Sequence, residues 1–431
     1  MASSGVIEAL ASRVRVAGRL SGLGSLPTDI VLAFRNVLRQ RRRSAIGVAS
    51  VAFGVIALLL AAGFIEWLYW GMRESTIRSG LGHIQVVRKD YFESGLSDPF
   101  AFILPSDAEE RPRLEAWPGV LTLSPRLSFS GLASFSDTTI SFVGEAIEPE
   151  REGELASWVL ITDGEPLSSS HPREIIMGKG LAANLGAKVG DIVVLLANTG
   201  AGGINAVEAR VRGLFLTVTK AYDDSALRVP FVTAQELLRV NGAHRWVLLL
   251  DDTDATHDTV AALRTELDRG RFDVVPWYAL ADFYNKTVEL FSKQVQVMKL
   301  IIAIIIVLSI SNTQMMSVLE RTSEIGTSMA LGITRMQTLR RFLLESLVIG
   351  LIGGFVGLLV GMVLAKIISA IGIPMPPPPG MARGFTGEIR VTWGLAFDAL
   401  VLALLTTLVA GAYPAWKASR MVIVDALRFA R

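Results

Sequence analysis

The sequence predicts an α-helical membrane protein with four transmembrane helices and a large α+β extracytoplasmic domain inserted between the first and second helices. Three observations carry this. Hydrophobic residues make up 51% of the chain and charged ones only 19%, and mean hydropathy is +0.45, too apolar for a soluble chain of 431 residues. Four apolar stretches reach the roughly 20 residues that a helix needs to cross hydrocarbon. The one long interval between them, 72–294, alternates strand and helix signals. A formal net charge of +2 supplies no field for nucleic acid, so no nucleic-acid partner is expected. The absence of cysteine excludes disulfides, thiolate metal sites and a cysteine nucleophile.

Residues 1–44 read as a cytoplasmic N-terminus. Within it, 28–42 is either an interfacial helix, with Thr28 as N-cap and Ile30, Phe34, Val37 and Leu38 along one side, or a solvated basic anchor. "AIGVASVAFGVIALLLAAGFIEW" opens the first transmembrane helix, 45–71. It starts too far into the chain, and lacks too clearly a small-residue cleavage site, to be a signal peptide. Further spans are expected at 295–318, 342–370 and 393–415. Arginine and lysine concentrate before the first span (Arg35, Arg39, Arg41, Arg42, Arg43), in 319–341 and in the tail, 416–431. By the positive-inside rule these segments face the cytoplasm. Both termini are then inside, and 72–294 and the short loop 371–392 are outside.

In the outer segment "GHIQVV" reads as a strand, "SDAEERPRLEAW" as a short helix, and "FSGLASF" with "TISFVGEAI" as paired strands. "RWVLLLDD", "DATHDTVAALRTELDRG" and "FDVVPW" form a second strand, helix, strand series. Between the two series, about 151–230 reads as a β-rich insertion containing "REIIMGKGLAANLGAKVGDIVVLL" and the Gly-rich hairpin "NTGAGGINA". The "GKG" lacks the spacing of a phosphate loop. The four histidines are dispersed, and His83 reads as structural. No catalytic, metal-binding or cofactor-binding grouping emerges, so the chain is not expected to be an enzyme by itself.

The segment "LERTSEIGTSMALGITRMQTLRR", 319–341, is polar between two spans. It reads as a helix ending near Leu331, Gly332 in a left-handed C-terminal position, then Thr334 and Gln337 in a capping-box pattern opening the next helix. Ile325, Met329, Ile333 and Met336 can share an apolar face, with Glu320, Arg321 and Glu324 pointing elsewhere. Such a charged helical elbow either carries force to a docked partner or is simply a solvated turn. Glu66, Lys366 and Asp398 fall toward outer span ends and Asn312 toward an inner one; Lys366 and Asp398 are a candidate intramembrane pair. The small residues of "GLIGGFVGLLVG" allow close helix approach, within the subunit or across a dimer. "PMPPPPG" makes a stiff outer loop.

"NTQMMSVLERTSEIGTSMALGITRMQTLRRFLLESLVIGLIGGFVG" closely resembles the permease domain of the FtsX, MacB and LolC/LolE group, and "AGAYPAWKASRMVIVDALR" resembles that group's tail. The Arg35–Asn36 pair and "GKGLAANLGAKVGD" extend the likeness. It implies a permease subunit of a type VII ABC transporter in a bacterial inner membrane, paired with a second permease copy or paralogue as a homo- or heterodimer. A separate ABC ATPase subunit would supply ATP and Mg, no cofactor being held by this chain. Carried across by position, Glu320, Arg321, Glu324, Ile325 and Gly326 fall on the elbow that meets the ATPase. "GHIQV" followed by "DYF" resembles the lipoprotein-extracting branch, LolE-like in its short hairpin, with lipoprotein or lipid as cargo. The alternatives implied are MacB-like export through a periplasmic adaptor and FtsX-like regulation of a cell-wall hydrolase.

Overall fold

In a computed structural model, the structure describes residues 26–39, 41–95, 97–217, 219–376, 384–423 and 426, with side chains from 31 onward. The expectations for 1–25, the centre of the proline-rich loop and most of the tail beyond 423 lie outside the described residues. Two compact units emerge: Met1–Leu68, Leu290–Ile373 and Gly387–Arg431 form one, and Tyr69–Glu289 with Pro374–Thr386 the other.

The first unit is helical. Its elements are α1 (Leu26–Arg39), α2 (Arg41–Thr76) as far as Leu68, α3 (Asp282–Glu320) from Leu290, α4 (Thr322–Ala330), α5 (Arg335–Ile371) and α6 (Trp393–Ser419). Among the described residues, four helices are long and apolar enough to cross a membrane. Helices α2 and α3 extend well past their apolar stretches, because leaving hydrocarbon does not end a helix; a breaker does. For α2 the helix widens into a π turn over Ile77–Leu81, closed by the Gly82 amide donating to the Ile77 carbonyl at 2.9 Å, and stops at Gly82, whose φ is +68°.

The helical core joins Val51, Val55, Leu58 and Leu59 of α2 to Ile302, Ile306 and Ile310 of α3, Ile349 of α5, and Ala399 and Ala403 of α6. The small-residue stripe of α5 is spent inside the subunit. A Cβ on Gly353, Gly357 or Gly361 would stand 2.7–2.8 Å from atoms of Val51, Ala52, Val55 or Leu59 on α2. On its other side, Gly350 meets Thr407 of α6 and Ser346 meets Gly411 at similarly close range. Three glycines four apart thus line one helical face and bring two backbones together.

The second unit is built on strands β1 (Ile84–Arg88), β2 (Leu104–Pro105), β3 (Val120–Phe135), β4 (Thr138–Ile147), β5 (Leu160–Gly164), β6 (Glu174–Gly178), β7 (Ile192–Asn198), β8 (Ile204–Leu216), β9 (Ala226–Pro230), β10 (Gly242–Ala243), β11 (Arg245–Leu250) and β12 (Phe272–Pro276). β12, β1, β11 and the first half of β3 make an antiparallel sheet whose apolar face receives Val260 and Leu263 of the helix Thr256–Glu266. The second half of β3 turns into a closed ring: β3 pairs β4, then β9, β6, β8 and β7 follow, and β7 returns to β3. Gly131 permits the closure, since a Cβ there would lie 2.1 Å from the Leu196 carbonyl oxygen.

The β-rich body is therefore larger than the predicted insertion at 151–230, taking in β3 and β4 as well. The reason is length: β3 has 16 residues, enough to serve one sheet with 120–126 and the ring with 127–135 without an intervening turn signal.

Where the two halves of β3 meet, charges are buried. Arg126 and Arg228 are almost fully enclosed; Arg126 lies 3.1 Å from Glu145 and 2.7 Å from Glu152, and Arg245 lies 2.6 Å from Glu145. Arg228 also donates to the Ser79 carbonyl at 3.0 Å. Burial pushes the Glu145 carboxyl upward, but Arg126, Arg245 and Arg228 outweigh it and hold the pKa at about 2. His83 is buried, its Nδ1 accepting from the Leu250 amide at 3.0 Å, a structural role.

Candidate functional site

The elbow begins where Arg321 leaves helical geometry (φ −96°, ψ 13°), breaking α3 from α4. The Thr322 hydroxyl donates to the Val318 and Leu319 carbonyls and so satisfies acceptors that the break would orphan. At the other end α4 stops at Ala330, and Gly332 takes φ +101°. Thr334 and Gln337 then form a reciprocal capping box: the Gln337 amide donates to Thr334 Oγ1 at 3.3 Å, and the Thr334 amide to Gln337 Oε1 at 2.9 Å. Both turns are pinned by hydrogen bonds, so the polar segment is rigid rather than slack.

Charged clasps fix it to neighbouring helices. Arg39 of α1 donates to Glu324 at 2.7 Å, and Arg43 of α2 pairs with Glu320. Arg321 bridges Glu324 (3.3 Å) and Glu345 of α5 (3.1 Å), with its guanidinium 5.7 Å from the centre of the Phe342 ring. Glu345, 6% exposed, also accepts from Asn36 Nδ2 at 2.6 Å. The hydrogen bond from Arg39, with help from Arg321, holds the Glu324 carboxyl below the usual range against a weaker opposing effect of burial.

The five elbow residues singled out from sequence divide into two kinds. The side chains of Glu320 and Glu324 are about half exposed, at 50% and 53%. Arg321 is 17% exposed and turned toward Glu345, Ile325 packs among Val318, Phe342, Ala415 and Ala418, and Gly326 lies against Ala426. These three position the elbow and do not present a surface. Met336, expected on the Ile325 face, is instead 71% exposed, as Leu331 is at 83%, because the turn at Gly332 resets the helical phase. Sequence reasoning met Asn36 only as part of the family likeness and gave Glu345 no role; the available signal was an acid only a few residues inside an apolar span, which needs a partner.

The candidate pair Lys366–Asp398 is not formed. Asp398 of α6 pairs at 2.9 Å with Lys299 of α3, while Lys366 points outward beside the buried stripe of Gly361 and Ala365. Asp398 takes a partner from α3 although α6 packs chiefly along α5, a choice that depth along the sequence does not reveal. Among the described residues no cluster of three or more His, Cys, Asp or Glu is placed to hold a metal.

The model of the MacB-like periplasmic core domain matches residues 44–266, more than half of the chain. The chain belongs to the MacB-like periplasmic core domain family. The model of the FtsX-like permease C-terminal region matches 297–423, which contains the elbow and the last three spans. An uncharacterized ABC transporter permease of Methanocaldococcus jannaschii is 24% identical over 93% of this chain and 97% of its own length. A macrolide export ATP-binding/permease protein MacB of Sodalis glossinidius is 26% identical over 92% of this chain, which spans 60% of that protein. A lipoprotein-releasing system transmembrane protein LolC of Xylella fastidiosa is 27% identical over 59% of this chain and 64% of its own. The periplasmic region of MacB from Actinobacillus actinomycetemcomitans aligns with 50% of this chain at 14% identity, with a TM-score of 0.35. This member of the family is an ABC transporter permease of the MacB, LolC and FtsX type.

Proposed function

We propose that the chain is the membrane subunit of an ABC transporter in a bacterial inner membrane, its β-domain an extracytoplasmic insertion between the first and second spans. A separate ATPase, binding ATP and Mg, docks on the elbow from the cytoplasm. The observation that carries this is the elbow itself: a segment clasped to α1, α2 and α5 that carries two half-exposed acids, Glu320 and Glu324, and two exposed apolar side chains, Leu331 and Met336. Exposed apolar side chains rimmed by charge mark a protein-binding surface. A rigid element fixed to several spans moves them together, which is what transmitting closure of a partner requires.

As cargo we favour lipoprotein or lipid drawn from the membrane, in the LolE manner, on the resemblance around β1. MacB-like export is the second reading, supported by the 92% of this chain that aligns with the Sodalis protein. The test is Glu324→Lys in nanodiscs with the copurifying ATPase. A desolvated charge pair broken at an interface costs about 2–5 kcal/mol of binding, so docking and hydrolysis should fall at least about 30-fold while the permease stays folded. Wild-type docking by this variant and by Leu331→Asp would refute the elbow as the ATPase site. Recovery of a lipoprotein or of a secreted peptide with the complex separates the two cargo readings.

A further inference from the structure

Helix α1 carries two faces with distinct tasks. Ala33 and Val37, four apart, are buried against the bundle, and Asn36 beside them donates to Glu345. On the opposite side Val31, Phe34 and Leu38, at spacings of three and four, form an exposed apolar stripe. Arg35 and Arg39 run along one border of that stripe, and the exposed Arg41 and Arg42 follow at the head of α2. No acid lies between residues 30 and 65, so nothing within the segment itself neutralises these cations. An apolar stripe bordered by arginines, beside the start of a candidate membrane span, matches in polarity and charge a leaflet of anionic lipid, whose acyl boundary takes the stripe and whose headgroups take the cations.

We propose that α1 docks on the anionic surface of the membrane leaflet through Val31, Phe34, Leu38 and the arginines 35, 41 and 42. Arg39 is the link to the elbow: its guanidinium is exposed and shared with Glu324, so a lipid phosphate competes with that carboxylate for the same donor. Lipid charge thereby sets how firmly the elbow is held. This goes beyond the ATPase reading and does not depend on it, because the docking can be read without any ATPase present.

The chain has no cysteine, so a Val31→Cys variant of the full-length protein takes a single environment-sensitive fluorophore. It is compared in nanodiscs of phosphatidylcholine and of phosphatidylcholine with about one third phosphatidylglycerol. The expected result is a blue shift and protection from acrylamide quenching in the anionic nanodiscs, reversed by high salt. Each cation near such a surface raises partition about five-fold, so Arg35→Gln, Arg41→Gln and Arg42→Gln together should weaken the lipid dependence about a hundred-fold. The same fluorophore at Ser170→Cys in the β-domain should not respond. Equal spectra in neutral and anionic nanodiscs would overturn the proposal, as would a lipid response unchanged by the three glutamines. A shift produced in neutral nanodiscs by inorganic phosphate would assign the arginines to a soluble anion and overturn it as well.

Discussion

Replacing Glu345 by alanine should loosen the elbow without touching its exposed face. Glu345 is 6% exposed and accepts hydrogen bonds from Asn36 and Arg321, so it ties α1 and the α3–α4 break to α5. Removing one partner of a buried ion pair costs about 3–5 kcal/mol, because the other charge is left uncompensated. Here the lower figure applies, since Arg321 is 17% exposed and retains Glu324 at 3.3 Å. A loss of about 3 kcal/mol in the free energy of local opening corresponds to roughly a hundred-fold fall in hydrogen-exchange protection, at about 1.4 kcal/mol per decade. The fall should appear in peptides covering α4 and spare those of the β-domain. Glu345→Gln, which keeps an acceptor for Asn36 but not the charge, should lie between wild type and alanine. Protection of α4 changed less than about three-fold in Glu345→Ala would show that the elbow is held by its caps and apolar contacts alone.

Gly357→Val should strain the α2–α5 seam, where even a Cβ would stand 2.8 Å from the Ala52 carbonyl oxygen and from Val55; overpacking of about 1–3 kcal/mol should lower thermal stability in nanodiscs. Asp398→Lys and Lys299→Asp should each destabilise, and the double exchange should recover most of the loss, a double-mutant cycle that separates the pair from its surroundings. The β-domain should weaken as pH falls from about 6.5 toward 4. Burial lowers the His83 and His244 pKa values to about 4, so between those limits the unfolded chain binds protons that the folded one refuses. At about 1.4 kcal/mol per unit this is on the order of 3 kcal/mol for each histidine, and His83→Gln should remove part of the dependence of β1 and β11 protection on pH.

The four spans were legible because apolar length is a one-dimensional signal, and the capping box was legible because Thr334 and Gln337 act within one turn. Helix ends were less so: nothing in hydropathy says that α2 continues to Thr76, since its terminator is the glycine turn beyond. The elbow could be read as helical, but not which of its residues face outward, because Arg321 chooses Glu345, 24 positions away, over water. Lys299 and Asp398, 99 positions apart, escape pattern reading for the same reason. The ring in the β-domain was hidden by β3, a single strand shared by two bodies with no break in its alternation to announce the change.

That ring has a consequence for how the protein is made. A nascent chain would release the β-domain before the spans that follow it in sequence, and an incomplete sheet at that stage invites edge-to-edge aggregation. Closure hides the edges of six strands at once. Among the described residues of the large sheet, open edges remain at β12 and β5, five residues each, and along the first half of β3, which pairs β11 on one side. β5 is further blunted by a register shift between Ile161 and Asp163, with the charged Asp163 exposed on it. The domain can therefore wait, finished and unattractive to its neighbours, while the remaining helices are threaded into the bilayer.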